Sequence, residues 1–407
     1  MKTYIFTLTS PIHDKTSIEQ HTSMFLGELQ AAGLDYEYLG EDFRRYGEGD
    51  INLIYIRTGG TEGYFLKQTN ITPRLTTAPV YLLASGESNS LAASVEILSW
   101  LRNKGIQGKI FHGSNKYLVE QIQAAALVEK TKKTLHGQRA GIIGQPSDWL
   151  IASHIDVEAV KARLGVELIN IDIQELIEEY RRTDNNIEIS DVAQKLQPCQ
   201  SKYFVGALRI YKVLRLIIER YHLNALTLRC FDLLDAIHNT GCMALALLNS
   251  EGVPAACEGD VPALLTMMLC HALTGHTGFQ ANPSRINPET GEIVFAHCTV
   301  PLDMIKCYQY DTHFESGIGV GLHGELPEGD ATIVKLNGDM KQWYSEDVTL
   351  KRNTYKKQLC RTQIVLHTQH AANYLLNHPL GNHQIILTGH HRNLIDMFMQ
   401  SVGLPTT

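Results

Sequence analysis

The chain has 407 residues, enough for two or three domains at ~150 residues each. Hydrophobic residues make up 44% and charged residues 19%, which excludes a disordered chain and provides for sizeable cores. With 36 basic against 43 acidic residues, the net charge of −7 gives no global field for a polyanion, so neither nucleic acid nor an anionic membrane is an expected partner.

Met1–Thr9 has none of the basic, apolar and small-residue regions of a signal peptide. The most apolar stretch, Pro262–Leu273, is interrupted by His271 and is too short to cross a bilayer. The expectation is a soluble, cytoplasmic protein. The eight cysteines (199, 230, 242, 257, 270, 298, 307 and 360) include no C-x-x-C pair, so they read as buried thiols of a reducing compartment.

Up to about Ser250, apolar strands alternate with amphipathic helices. Tyr4–Leu8 predicts a strand and Ser17–Ala32 a helix. Strands follow at Ile51–Ile56, Val80–Ala84 and Lys109–His112, with helices at Leu91–Lys104 and from Lys116. A second series opens with Ala140–Ile143, helix Val157–Leu164 and strand Glu167–Ile171, and further helices run to about His222. Strand Ala225–Cys230, helix Leu234–Asn249, strand Ala255–Cys257 and helix Val261–Thr274 complete it. This rhythm predicts parallel sheets covered on both faces.

After about Gln280 the rhythm changes. Ile293–His297, Gly317–Gly324, Ala331–Leu336, Gln363–His367 and Gln384–Leu387 read as strands among turns, closed by helix Arg392–Ser401. The expected fold class is therefore α/β: two flavodoxin/Rossmann-like parallel-sheet domains, 1–138 and 139–280, and a β-rich, barrel-like C-terminal domain, 281–407.

Ligands of open parallel sheets collect at the carboxyl ends of strands. Two strand ends in the second series carry acids: Phe231-Asp232, with Asp235 three residues on, and Glu258-Gly259-Asp260 after Ala255–Cys257. Close carboxylates repel unless a proton or a cation lies between them, and hard oxygen ligands suit Mn²⁺ or Mg²⁺. Asp260, before Val261-Pro262, is also a good helix N-cap, and Asp232 or Asp235 has the same option. Glu258 has no such role and needs a partner if buried.

Among the histidines, His383 follows a Gly381-Asn382 turn that aims it from a loop edge, and His297 ends a strand where it could bind either substrate or metal. His367 and His370 form H-x-x-H without a nearby acid, which is weak support for zinc. Gly317–Gly321 lacks the strand–helix setting of a dinucleotide loop and reads as a glycine-rich strand or bulge. Gly59–Gly63, at a strand end, fits a polar-ligand loop. The ring of Trp149, after Pro146-Ser147-Asp148, can stack on a sugar face or serve as a packing residue at a helix start.

Ala256-Cys257-Glu258-Gly259-Asp260, running into Leu264–Gly275, resembles the metal-binding strand and helix of the L-fucose isomerase/L-arabinose isomerase superfamily. Asn89–Ala93, Gly144–Ser153, Leu228–Leu234, Phe295–Pro301 and Gly381–His391 look like a shorter, fucose-isomerase-like branch of it. The resemblance implies two flavodoxin-like domains and a β-rich domain, assembled as a homo-oligomer (trimer or hexamer) with active sites near subunit contacts. It also implies aldose–ketose interconversion with Mn²⁺ held by two carboxylates and a histidine. Carried over, the ligands are Asp232 (or Asp235, given the register), Asp260 and His383, although the family usually has glutamate at the first position.

The chemistry fits these residue types. Moving a carbonyl between C1 and C2 needs a proton taken from a weakly acidic C–H and an enediolate stabilised, tasks for a divalent cation and two carboxylates. Asp232 and Asp260 are expected as metal ligands and as the base/acid pair, with Glu258, His297, Trp149 and Asn382 binding a monosaccharide. A metal-dependent aldolase or epimerase on the same scaffold, or a non-catalytic sugar-binding protein, are the competing readings.

Overall fold

A computed structural model describes residues 1–184, 194 and 196–404. By its internal packing the chain divides into two compact units, Met1–Lys130 and Thr131–Thr407. The helical stretch expected up to about His222 is described except for residues 185–193 and 195, which lie outside the described residues.

In the first unit, β1 (Thr3–Leu8), β2 (Glu37–Gly40), β3 (Ile51–Ile56), β4 (Val80–Leu83) and β5 (Gly108–Phe111) form one parallel sheet in the order β2-β1-β3-β4-β5. That is the flavodoxin-like winding. Helices α1 (Lys15–Ala31), α2 (Glu62–Ile71), α3 (Arg74–Thr77), α4 (Ser90–Asn103) and α5 (Asn115–Leu135) connect or follow the strands. Every residue of β1 is buried, as expected for an inner strand covered on both faces. β2 had no signal in the sequence because it is a short edge strand with a mostly exposed Glu-Tyr-Leu-Gly run.

The second unit starts with a four-stranded parallel sheet in the order β7-β6-β8-β9, made of β6 (Arg139–Ile143), β7 (Glu167–Ile171), β8 (Ala225–Leu228) and β9 (Ala255–Cys257). Its helices are α6 (Val157–Leu164), α7 (Ile173–Arg182), α8 (Phe204–Tyr221), α9 (Asp232–Ile237), α10 (Cys242–Ser250) and α11 (Val261–Thr274). The single helix expected over Leu234–Asn249 is in fact two, α9 and α10. His238 adopts a left-handed φ of 50°, and a Cβ at Gly241 would lie 2.7 Å from Leu228, so the chain turns here instead of continuing the helix.

The rest of this unit is an antiparallel barrel, closed in the order β10-β11-β16-β15-β14-β17, with a separate β12-β13 hairpin. The strands are β10 (Phe279–Asn287), β11 (Glu292–His297), β12 (Cys307–Asp311), β13 (Gly321–Glu325), β14 (Gly329–Leu336), β15 (Trp343–Asn353), β16 (Thr362–His367) and β17 (Gln384–Thr388). Helices α12 (Ala371–Asn377) and α13 (Arg392–Ser401) accompany them. Residues 139–280 and 281–407 share one apolar core. Leu226 and Leu228 of the parallel sheet, Met243 and Leu247 of α10, and Phe279, Phe295, Ile333 and Ile364 of the barrel belong to a single buried cluster. α11 packs against β8 and β9 on the sheet side and against β14 and β17 on the barrel side. That double contact brings strand-end acids and barrel histidines into one place.

Candidate active site and metal centre

Three side chains from separate elements converge in the second unit. Glu258 follows β9, His297 ends β11, and His383 immediately precedes β17. One ligand atom from each lies within 4.8 Å of the others, a spacing that could hold a metal ion. The imidazole Nε2 of His297 is 3.8 Å from Oε1 of Glu258, and Nε2 of His383 is 3.5 Å from the same oxygen. All three are almost or fully buried.

Each group is held from behind. Nδ1 of His383 meets Oδ2 of Asp260 at 2.8 Å, and Nδ1 of His297 meets the Thr299 hydroxyl at 2.9 Å. Outer partners of this kind fix ring orientation and leave Nε2 for the site. Trp149 donates its indole N–H to Oε2 of Glu258 at 2.6 Å, which leaves Oε1 facing the imidazoles. Asp260 is wholly enclosed and caps α11 through the Ala263 N–H. It therefore fills the capping role that the sequence set against a metal-ligand role, and holds His383 as well.

The electrostatics follow from this enclosure. Burial pushes the Glu258 carboxyl up, but the imidazoles of His297 and His383 that face it more than reverse this and hold it well below the ordinary range. Asp260 is also lowered: burial raises it, and the Lys335 ammonium and His383 outweigh burial. His383, lowered by burial but raised by Asp260 and Glu258, is pushed up to about 9. Its Nε2 is buried with no hydrogen-bond partner. A buried imidazole nitrogen without a hydrogen bond, beside an ionised carboxylate and a second imidazole, suits a divalent cation, so the residues fit a metal ion without selecting which one.

The backbone here is strained. Glu258 has φ of 65°, a left-handed conformation that is rare for a glutamate, and Gly259 follows at 70°. A Cβ on Gly259 would lie 2.6 Å from the Gln145 carbonyl oxygen. The tight turn packs against the Gln145–Trp149 loop, and Ser147 N–H bonds to the Glu258 carbonyl at 2.9 Å.

The other expected site residues are not members of this grouping. Asp232, at the first turn of α9, is about one-third exposed and pairs with Arg229 at 3.0 Å; Arg229 also engages Asp148 and the Pro146 carbonyl. Asp235 is exposed. Asn382 is exposed and donates to the Asn282 side chain at 2.7 Å. The Trp149 ring is half-exposed and stands edge-on to Phe231, their centroids 4.7 Å apart. The metal-ligand grouping therefore includes Glu258 and His297, expected as substrate contacts, alongside His383, and includes neither Asp232 nor Asp260. His367 and His370 are exposed and belong to no such grouping among the described residues. Gly317 and Gly319 lie in a turn of left-handed residues ahead of β13, so only the last part of the strand expected over Gly317–Gly324 forms.

Lys335 was missed. It is fully buried on β14, its Nζ has no hydrogen-bond partner, and Oδ2 of Asp260 is 4.0 Å away. A lysine inside the apolar run Ala331–Leu336 was a visible anomaly, although nothing in the sequence paired it with an acid 75 positions earlier.

No protein-family model matches the chain. Against curated proteins, it is 24% identical over 224 residues to a protein of Priestia aryabhattai, covering 52% of this chain and 49% of that one. It is 25% identical over 270 residues to one of Clostridium sp. (strain MSTE9), covering 61% and 59%. A third, from Alkalicoccus urumqiensis, is 22% identical over 192 residues. All three are sulfoquinovose isomerases. The chain spans about half the length of the curated relatives it matches.

Proposed function

We propose that the chain is a divalent-metal-dependent aldose–ketose isomerase acting on a modified monosaccharide, with a sulfonated hexose as the first candidate. The similarity to sulfoquinovose isomerases supports the reaction class and the substrate. The observation that carries the metal reading is the convergence of Glu258, His297 and His383 around an unpartnered, buried Nε2.

Mn²⁺ or Mg²⁺ held by Glu258, His297 and His383 would polarise the sugar carbonyl and offset the charge of an enediolate. In this reading Glu258, held at Oε2 by Trp149, would take a proton from one sugar carbon and return it to the neighbouring one. Asp260 holds His383 by Nδ1 and directs Nε2 inward. Asp232, paired with Arg229, would be the second acid of the proposed relay and contact sugar hydroxyls. The Trp149 ring offers an apolar face to the sugar. We also propose a cytoplasmic homo-oligomer, trimeric or hexameric, as the resemblance implies.

The test is a panel of aldoses and ketoses, sulfoquinovose included, incubated in D₂O with Mn²⁺ and followed by NMR. Interconversion of an aldose and its ketose, abolished by chelator, is the expected outcome. Carbon–carbon cleavage would assign an aldolase instead, and chelator-insensitive binding without turnover would assign a sugar-binding protein.

A further inference from the structure

Lys335 is the one fully enclosed lysine described, and the account above gives it no task. An uncompensated buried ammonium is costly, so its position needs a reason. Three features on different elements hold it there. Thr266 on α11 accepts the Leu336 N–H at 3.1 Å while donating to the Pro262 carbonyl, which pins the end of β14 to the helix that Asp260 caps. Gly381, at φ 129°, leaves the space the lysine head occupies: a Cβ there would lie 3.3 Å from Cε and 3.5 Å from Nζ. Asp260 then offers one oxygen, Oδ2, to both Lys335 at 4.0 Å and His383 at 2.8 Å.

We propose that Lys335 is a positioning residue: its ammonium supplies the counter-charge that keeps the enclosed Asp260 carboxylate on Nδ1 of His383, so that the imidazole presents Nε2 to the ion. Lys335 does not touch the sugar in this scheme and acts only through Asp260. The same arrangement gives Gly381 a purpose beyond turning the chain toward His383, since a Cβ there would press on Cε of Lys335 at 3.3 Å. The proposal rests on the isomerase reading only where turnover is measured.

The experiment compares the full-length parent with Lys335→Met, Asp260→Asn and the double variant. Mn²⁺ alone is titrated into each by calorimetry, and kcat and KM are measured on whichever sugar the parent turns over. Lys335→Met keeps an unbranched side chain, one atom shorter, and removes its charge. It should weaken Mn²⁺ binding by about tenfold or more. It should also lower kcat by about tenfold with KM little changed, because the sugar contacts remain. The double variant should bind Mn²⁺ no more weakly than Asp260→Asn alone, since Lys335 acts only through that carboxylate. Should Lys335→Met fail to fold, the double variant, which buries neither charge alone, carries the comparison with Asp260→Asn. A parent that binds no Mn²⁺, a folded Lys335→Met that binds and turns over like the parent, or a double variant weaker than Asp260→Asn would each overturn the proposal. Mn²⁺ affinities in the expected order, with no sugar turned over by any of the proteins, would remove the isomerase reading and leave this one standing.

Discussion

Glu258 holds a conformation at φ 65° that costs on the order of 1–3 kcal/mol, and it does so at the point where its carboxylate meets two imidazoles. Asparagine tolerates left-handed backbone far better than glutamate. Glu258→Asn should therefore relieve strain while withdrawing the ligand oxygen. We expect its unfolding free energy, measured in urea, to stay within about 1 kcal/mol of the parent's, because relieved strain offsets the lost pairing with two imidazoles, with turnover down by roughly a hundredfold or more. A variant both less stable and fully active would place the strain and the ligand role elsewhere. Trp149→Phe keeps a ring against Phe231 and removes the donor to Oε2 of Glu258. It should cost on the order of tenfold in kcat, the effect of losing one charge-assisted hydrogen bond to a reacting group.

At the scale of elements, the turn after β9 depends on glycine. Gly259 has φ of 70°, and a Cβ there would meet backbone atoms of Gln145 and Pro146 at 2.6 and 2.8 Å. Gly259→Ala should lower stability by about 2 kcal/mol or more and, by displacing the Gln145–Trp149 loop, reduce turnover as well.

The same elements show how much could be read in advance. The parallel strands were legible because runs such as Ile51–Ile56 are apolar on both faces, and their ends located Glu258 and Asp260. β10 was not, because Phe279–Asn287 carries Asn282 and Pro283 at a register shift in its pairing with β11. β15 was hidden by its charges, one of which, Glu346, turns inward to accept the Gln369, His370 and Ala371 N–H groups at the start of α12. His383 stood out because of its Gly-Asn turn. That Glu258 faces the two imidazoles while Asp260 caps α11 and holds Nδ1 of His383 did not, because sequence gives the strand edge on which an acid lies and not whether a helix cap or a buried imidazole claims its oxygens. Lys335 was invisible as a partner of Asp260 because only closure of the barrel brings β14 beside α11.

For the whole molecule, the site ties stability and ion binding to pH. In the ion-free protein, His383 is raised from its ordinary 6.5 to about 9, so its contribution to stability is complete below 6.5 and is lost as pH rises through 9. Glu258 and Asp260 are depressed, so theirs is present above the ordinary carboxylate range and is lost as pH falls. The ion-free protein should then be most stable between roughly pH 5 and pH 7, as thermal unfolding across pH will show. An ion can take Nε2 of His383 only after its proton leaves, so Mn²⁺ binding at pH 7 should release protons and tighten as pH rises toward 9. Calorimetry in two buffers of different ionisation enthalpy measures that release.

The most direct measurement is Mn²⁺ bound per chain, for the parent and for Glu258→Gln, by titration of the full-length protein. Glutamine keeps the size of the side chain and removes the charge that faces both imidazoles. The predicted result is one ion per chain in the parent, with affinity reduced by about tenfold or more in the variant. A parent that takes up no ion, or a variant that binds it as tightly as the parent, would contradict the centre assigned to Glu258, His297 and His383.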